Sequence, residues 1–287
     1  MIFLLPSEPF NIKKVDYEFQ SELTSISILG FKSCLYDHDR FISTGEFVSN
    51  IDDTNDLIIL RSWMLTSDQY RSMWDHLSKM GNVMINTHDQ YLNCHYYPRV
   101  YSKISNHTSL SVWSNDLSDE SIISLRKLIS DDVIIKDYVK SEKESDTFIL
   151  GKDISNNDLI DKVKKFREYR GKLFNEGIVF KRKLNLKKYG DKTNDFSLFY
   201  LYHKLISISQ NSNFSHGNNP YIGFLDKMIE KIDSNFFTID LAELEDGSWA
   251  IIECGDGSVS GLSPNQNNLV FYMNFNPIQE TIKVINE

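Results

Sequence analysis

The apolar positions of this chain follow one rhythm over the first hundred residues and another after it. Met1-Ile2-Phe3-Leu4-Leu5 is an unbroken apolar run closed by Pro6, and it predicts a buried strand over residues 2–5. Leu57-Ile58-Ile59-Leu60, behind acidic Asp52, Asp53 and Asp56, fits a strand covered on both faces. Val15 to Gly30, between them, reads as helical. Tyr70, Met73, Trp74 and Leu77 recur at helical spacing within Thr66 to Lys79, and Gly81 supplies a stop. Val83-Met84-Ile85 returns to a strand pattern. Strand, helix, strand predicts an α/β domain over the first 100 residues.

After that the pattern changes. Helical spacing over Asp119–Ser130 and Leu159–Leu173 alternates with strand signals at Val133–Lys136 and Ile178–Phe180. Strands follow over Phe196–Leu201 and Leu205–Ser209, then a helix around Ile222–Ile232. The region reads as α+β with antiparallel strands.

The last pair of strands carries the candidate chemistry. Phe236–Glu243 and Trp249–Cys254 flank Glu245-Asp246-Gly247-Ser248, and Asp-Gly between apolar runs is a strong hairpin signal. With Asp246 and Gly247 as a two-residue turn, Asp240 falls opposite Glu253 and Leu241 opposite Ile252. Opposed side chains lie roughly 4.5–5.5 Å apart at Cβ, so the two carboxylates repel unless a cation joins them. Mg2+, held by one or two carboxylates and phosphate oxygens, is one answer. A solvated acidic pair on a half-exposed sheet is the other. Asp256, between Gly255 and Gly257, is a third candidate ligand or a simple turn residue. Lys136 ends its strand, Lys181 ends Ile178-Val179-Phe180, and Lys103 follows Val100-Tyr101; each is a candidate phosphate-binding point charge or an exposed lysine.

Several chemistries lose support. The chain has neither a GxxxxGK[ST] loop nor a GxGxxG loop, and no HExxH. Gly257-Ser258-Val259-Ser260-Gly261 has valine where a nucleophile elbow needs serine. The adjacent Cys94 and His95, on an extended segment, are expected to point opposite ways. Cys34, Cys94 and Cys254 are too sparse for a disulfide framework or zinc site, which fits a cytoplasmic protein. The net charge of −9 disfavours a surface built to hold nucleic acid or anionic lipid. The basic run Lys162–Lys172 is the one local exception considered. The opening apolar run is too short for a signal peptide, and no run reaches the roughly 20 residues of a membrane span.

The order of segments resembles a known family, the divergent ATP-grasp proteins related to cell division cycle protein 123 and their bacterial and phage relatives. Six stretches carry the likeness: Ile2–Phe10, Arg99–Lys103 with Trp113, Ile134–Ser141, Gly177–Lys181, Lys204–Gln210, and Phe236–Asp240 with Glu253–Leu262. The resemblance implies an ATP-grasp fold of two α+β subdomains, about 101–175 and 176–287, enclosing ATP behind an α/β domain over 1–100. Carried over by position, Lys103 and Lys136 contact phosphates, and Lys183 and Leu184 form the hinge beside adenine. Lys181 keeps the charge of a phosphate-facing arginine, making Lys136 and Lys181 the catalytic cations. Asp240, Glu253 and Asp256 hold Mg2+. The implied activity is carboxylate–amine ligation through an acyl phosphate, on an unidentified carboxylate or protein. The alternative is an ATP-bound assembly chaperone. Two departures stand out: Lys181 for arginine, and Asp195-Phe196-Ser197 for the usual Glu-Phe-Arg.

Overall fold

The opening apolar run becomes the centre of a parallel sheet. In the computed structural model, which describes every residue except 53–54, 141–145, 212–216 and 287, β1 (Ile2–Glu8) lies between β3 (Lys32–Tyr36) and β4 (Leu57–Leu60). β5 (Val83–Met84) pairs parallel with β4, and β2 (Asn11–Val15) folds back antiparallel onto the end of β1. Alternate β1 side chains enter two cores, Ile2 and Leu4 in one and Phe3 and Leu5 in the other, as a strand covered on both faces requires. Val15, expected to begin a helix, instead ends β2. The Asp16 side chain accepts from the Glu18 amide and starts a short turn, and α1 runs only over Gln20–Ile28.

Helices α2 (His38–Thr44) and α3 (Ser67–Lys79) follow, the latter burying Tyr70, Met73 and Leu77 behind a Thr66/Gln69 capping box. Two further helices were not foreseen, α4 (His88–His95) and α5 (Tyr97–Ile104). Thr87 and Gln90 form a second capping box, and Pro98 stands at the start of α5, so both start signals were in the sequence. Cys94 and His95 therefore lie on a helix, not an extended segment, and both are buried.

Two antiparallel sheets make up the rest. The first has the order β6 (Ser111–Ser114), β9 (Ile178–Arg182), β7 (Val133–Asp137), β8 (Ile149–Leu150), with α6 (Asp119–Arg126) and α7 (Asn156–Arg170) on one face. The second has the order β13 (Lys204–Gln210), β12 (Asp195–Leu201), β14 (Phe236–Glu243), β15 (Trp249–Asp256). A small hairpin of β10 (Lys188–Tyr189) and β11 (Lys192–Thr193) precedes the second sheet, and α8 (Asp226–Ile229) precedes β14. Helices α9 (Asn268–Met273) and α10 (Asn276–Asn286) return to the first sheet, where Tyr272 and Phe275 pack edge-on against Phe3 at 5.1 and 5.3 Å. Ser141 of the resembling segments lies outside the described residues. Among the described residues no helix is long and apolar enough to cross a membrane.

A buried charge fixes this return. Arg61, 1% exposed, donates to Glu22 Oε2 at 2.8 Å and to the Ser260 and Gly257 carbonyls, while the Tyr272 hydroxyl donates to the same carboxylate. Removing one member strands a buried ion. Glu22→Ala is therefore expected to cost about 3–5 kcal/mol in urea unfolding; a loss below about 1 kcal/mol would contradict this role for the pair.

Candidate functional site

The strand period decides which side chains meet. Ile134 pairs with Lys181 and Lys136 with Val179 across β7 and β9. Val133, Ile135, Ile178 and Phe180 therefore face α6 and α7, leaving Ile134, Lys136 and Lys181 on the other face. Both lysines are buried, at 4% and 6% exposure. Their Nζ atoms lie 4.8 and 5.0 Å from the ring centre of Tyr97 on α5, which offers each a cation–π contact.

Across from them runs β15. Asp240 pairs with Glu253, as expected, but the route to that register differs. The turn has three residues, Glu245, Asp246 and Gly247, closed by Gly247 N–H to Leu244 O and Leu244 N–H to Ser248 O at 2.9 and 2.8 Å. Gly247 takes φ +82°, the left-handed residue of a three-residue hairpin loop. The extra turn residue shifts Leu241 opposite Ile251, correcting the expected Leu241–Ile252 pair. A bulge at Ile252 restores the register, so Asp240 still faces Glu253. The Ile252 carbonyl accepts from Lys181 Nζ at 2.6 Å.

Glu253, 7% exposed, meets cations from the other sheet. Lys136 Nζ and Lys140 Nζ lie 3.5 and 3.3 Å from its two oxygens. The sequence reading did not single out Lys140. It is brought there because the buried Asp137 carboxylate accepts from the Val139 and Lys140 amides, each at 2.7 Å, and turns the chain back after β7. Arg170 Nε holds the other Asp137 oxygen at 2.9 Å. The aspartate after a strand lysine was the signal available in the sequence.

Burial and the neighbouring Lys136 charge push the Lys181 amine down to about 7. Asp240 accepts from Ser197 Oγ, its cross-strand neighbour, at 2.7 Å. Lys136, Lys181, Ile134, Leu184, Leu186, Ile252 and Glu253 line a cavity of about 80 Å³ between the two sheets. At its mouth Lys183 and Leu184 join Asp131, Asp132, Lys152 and Glu245 around a cleft of about 750 Å³.

Two expected residues lie elsewhere. Lys103 is on α5, six residues beyond Tyr97, and turns to a different face of the helix. It lines a separate cavity of about 490 Å³ with Arg99, Lys231 and Asp233. Asp256 does not join Asp240 and Glu253. β15 continues through Asp256 rather than turning at Gly255, so a three-residue offset sends its side chain to the opposite face. There it is fully buried and accepts from Asn86 Nδ2 and the Ser258 amide at 2.6 and 2.8 Å.

Burial raises the Asp256 carboxyl to about 6. The folded protein thus holds this proton more tightly than the unfolded chain. The stability it contributes is complete below about pH 4 and is lost as pH rises through 6, a change on the order of 3 kcal/mol. Asp256→Asn is expected to remove that slope from urea unfolding curves between pH 4 and 6; an unchanged slope would contradict the assignment.

Comparisons with known proteins bear on the fold. Residues 128–275 match the family model of an ATP-grasp domain, the third family of its clade. The D-cycloserine synthetase DcsG superposes with a TM-score of 0.62 at 11% identity, covering 97% of this chain and 99% of that one. A RimK-domain ATP-grasp protein from Sphaerobacter thermophilus gives 0.61 at 12%, covering 96% and 98%. The ATP-grasp ligase PsnB, complexed with minimal precursor, Mg and ADP, gives 0.56 at 13%, covering 97% and 98%. At such identities the likeness is one of fold. No curated protein matches the sequence. The two facing sheets, the lysines between them and a family match spanning half the chain lead to one conclusion: this protein belongs to the ATP-grasp family.

Proposed function

We propose that the cleft binds Mg–ATP and couples it to carboxylate–amine ligation. The observation that carries this reading is the meeting of Lys136, Lys140 and Lys181 with Glu253 and the Ile252 carbonyl between two sheets. Burying so many charges together costs stability that apolar residues would not, and such clusters gather at functional sites.

The donor set fits Mg2+ only in company with a nucleotide. Asp240 and Glu253 are paired on one face, and among the described residues no group of three or more His, Cys, Asp or Glu could hold a metal. Mg2+ asks for little more, since phosphate oxygens and water complete its shell. When bound, it neutralises phosphate charge. Ile134, Leu184, Leu186 and Ile252 supply apolar walls for the base, with Lys183 at the mouth. Lys136 and Lys140 hold Glu253 until phosphate oxygens compete for them. Lys181, fixed to Ile252 O, offers a positive charge without a flexible search.

In the ligation proposed, a substrate carboxylate oxygen attacks the terminal phosphorus and ADP leaves. An amine then attacks the acyl carbon, phosphate leaves, and the amine gives up its proton. The printed descriptions of several neighbours name ligases, synthetases or a macrocyclase with precursor peptides, which supports a ligase-type reaction. A second reading, an ATP-bound assembly chaperone akin to cell division cycle protein 123, draws on Ser197. This neutral side chain hydrogen-bonds Asp240 where the resembling family carries an arginine.

Calorimetric titration tests the shared premise. Mg2+ is expected to tighten ATP binding at least about tenfold, a difference of about 1.4 kcal/mol, and Glu253→Gln is expected to abolish most of that gain. Binding that ignores Mg2+ would refute the metal reading. Release of ADP and phosphate with a carboxylate and an amine present separates ligase from chaperone.

A further inference from the structure

His95 ends α4 and packs against the outer edge of β15, 4% exposed. Its Nδ1 accepts from the Asp256 amide at 3.3 Å. That bond needs a lone pair on Nδ1, so the neutral ring carries its proton on Nε2. Burial, with Lys140 and Lys136 nearby, lowers the imidazole to about 3 and keeps it neutral. The rings of Tyr91 and Tyr96, at 4.9 and 6.3 Å, fix its orientation.

The Nε2 atom is buried and has no hydrogen-bond partner among the described residues. A buried donor left unpaired is costly, and native proteins keep few of them. The charged groups acting on this ring are Lys140, Glu253 and Lys136, the same groups that meet in the cleft. The apolar end of the cleft is marked by Leu184 and Ile252. His95 sits against Asp256, four residues further along β15, or roughly 13 Å at strand rise. The donor therefore belongs to the end of the cleft away from the base.

We propose that His95 Nε2–H donates to an oxygen of the terminal phosphoryl group of the bound nucleotide, completing an anion site with Lys136 and Lys140. This inference rests on the Mg–ATP reading. It makes a helix before the family-matched region a contributor to nucleotide discrimination, through a neutral donor that stays protonated at Nε2 across the physiological range. His95 acts on the phosphoryl group by binding, and no proton leaves the ring.

Two substitutions separate the ring's two hydrogen bonds. His95→Asn keeps an oxygen where Nδ1 accepts from the Asp256 amide but has nothing at the Nε2 position. His95→Gln places an amide donor near Nε2. Affinities for Mg–ATP and Mg–ADP are measured by calorimetry on the folded full-length chain. His95→Asn is expected to weaken Mg–ATP about tenfold or more, as loss of a bond to a charged acceptor does, while Mg–ADP changes less than about threefold. His95→Gln is expected to recover most of the preference. Equal weakening of both nucleotides, or of neither, would overturn the proposal, as would His95→Gln behaving like His95→Asn. Wild-type protein that binds neither nucleotide would instead remove the Mg–ATP reading, and the inference with it.

Discussion

The Glu253 carboxylate lies in a wall made by Ile251, Ile252 and the face of the opposite sheet, at 7% exposure. A charge in such a place must be answered locally. Here the answer comes from across the cleft, from Lys136 and Lys140, and that demand organises much around it. Lys136 reaches inward because β7 alternates; Lys140 reaches back because Asp137 folds the chain; Asp137 is itself held by Arg170. One carboxylate thus ties the helix-backed sheet to the hairpin sheet.

The same constraint explains the bulge. An unbroken ladder would set Asp240 opposite Glu253 only with a two-residue turn. The chain uses three residues at the turn and spends the surplus at Ile252, whose carbonyl receives the Lys181 amine. Lys181 is thereby buried beside Lys136 with its amine lowered to about 7, a cost that a purely structural lysine has no reason to carry. The lysines, the carboxylate and the carbonyl form one polar seam in an otherwise apolar junction, and the proposed nucleotide lies along it.

How much of this could be read from the sequence follows from the range of each signal. Short-range patterns read well: the apolar runs at β1 and β4, the Thr66–Lys79 helix, and the Asp-Gly hairpin all formed where the spacing put them. Two helices, α4 and α5, passed unread although Thr87, Gln90 and Pro98 announce them, and Lys103 was misjudged as a result. The Asp240–Glu253 pairing was legible, yet through a turn of the wrong length compensated by an unseen bulge. Asp256 was drawn into the metal set by its glycine neighbours. Only the continuation of β15 shows that it turns to Asn86. Lys140, Tyr97 and His95 could not be placed from spacing, since each meets the cleft through tertiary packing across long sequence separations.

A crystal structure of the protein with Mg2+ and a non-hydrolysable ATP analogue tests the central claim most directly. The account predicts a metal ion held by Asp240 and Glu253, with Lys136 and Lys140 moved from Glu253 onto phosphate oxygens. A nucleotide bound with the Lys136–Glu253 and Lys140–Glu253 pairs intact, or a metal at Asp256 instead, would contradict it.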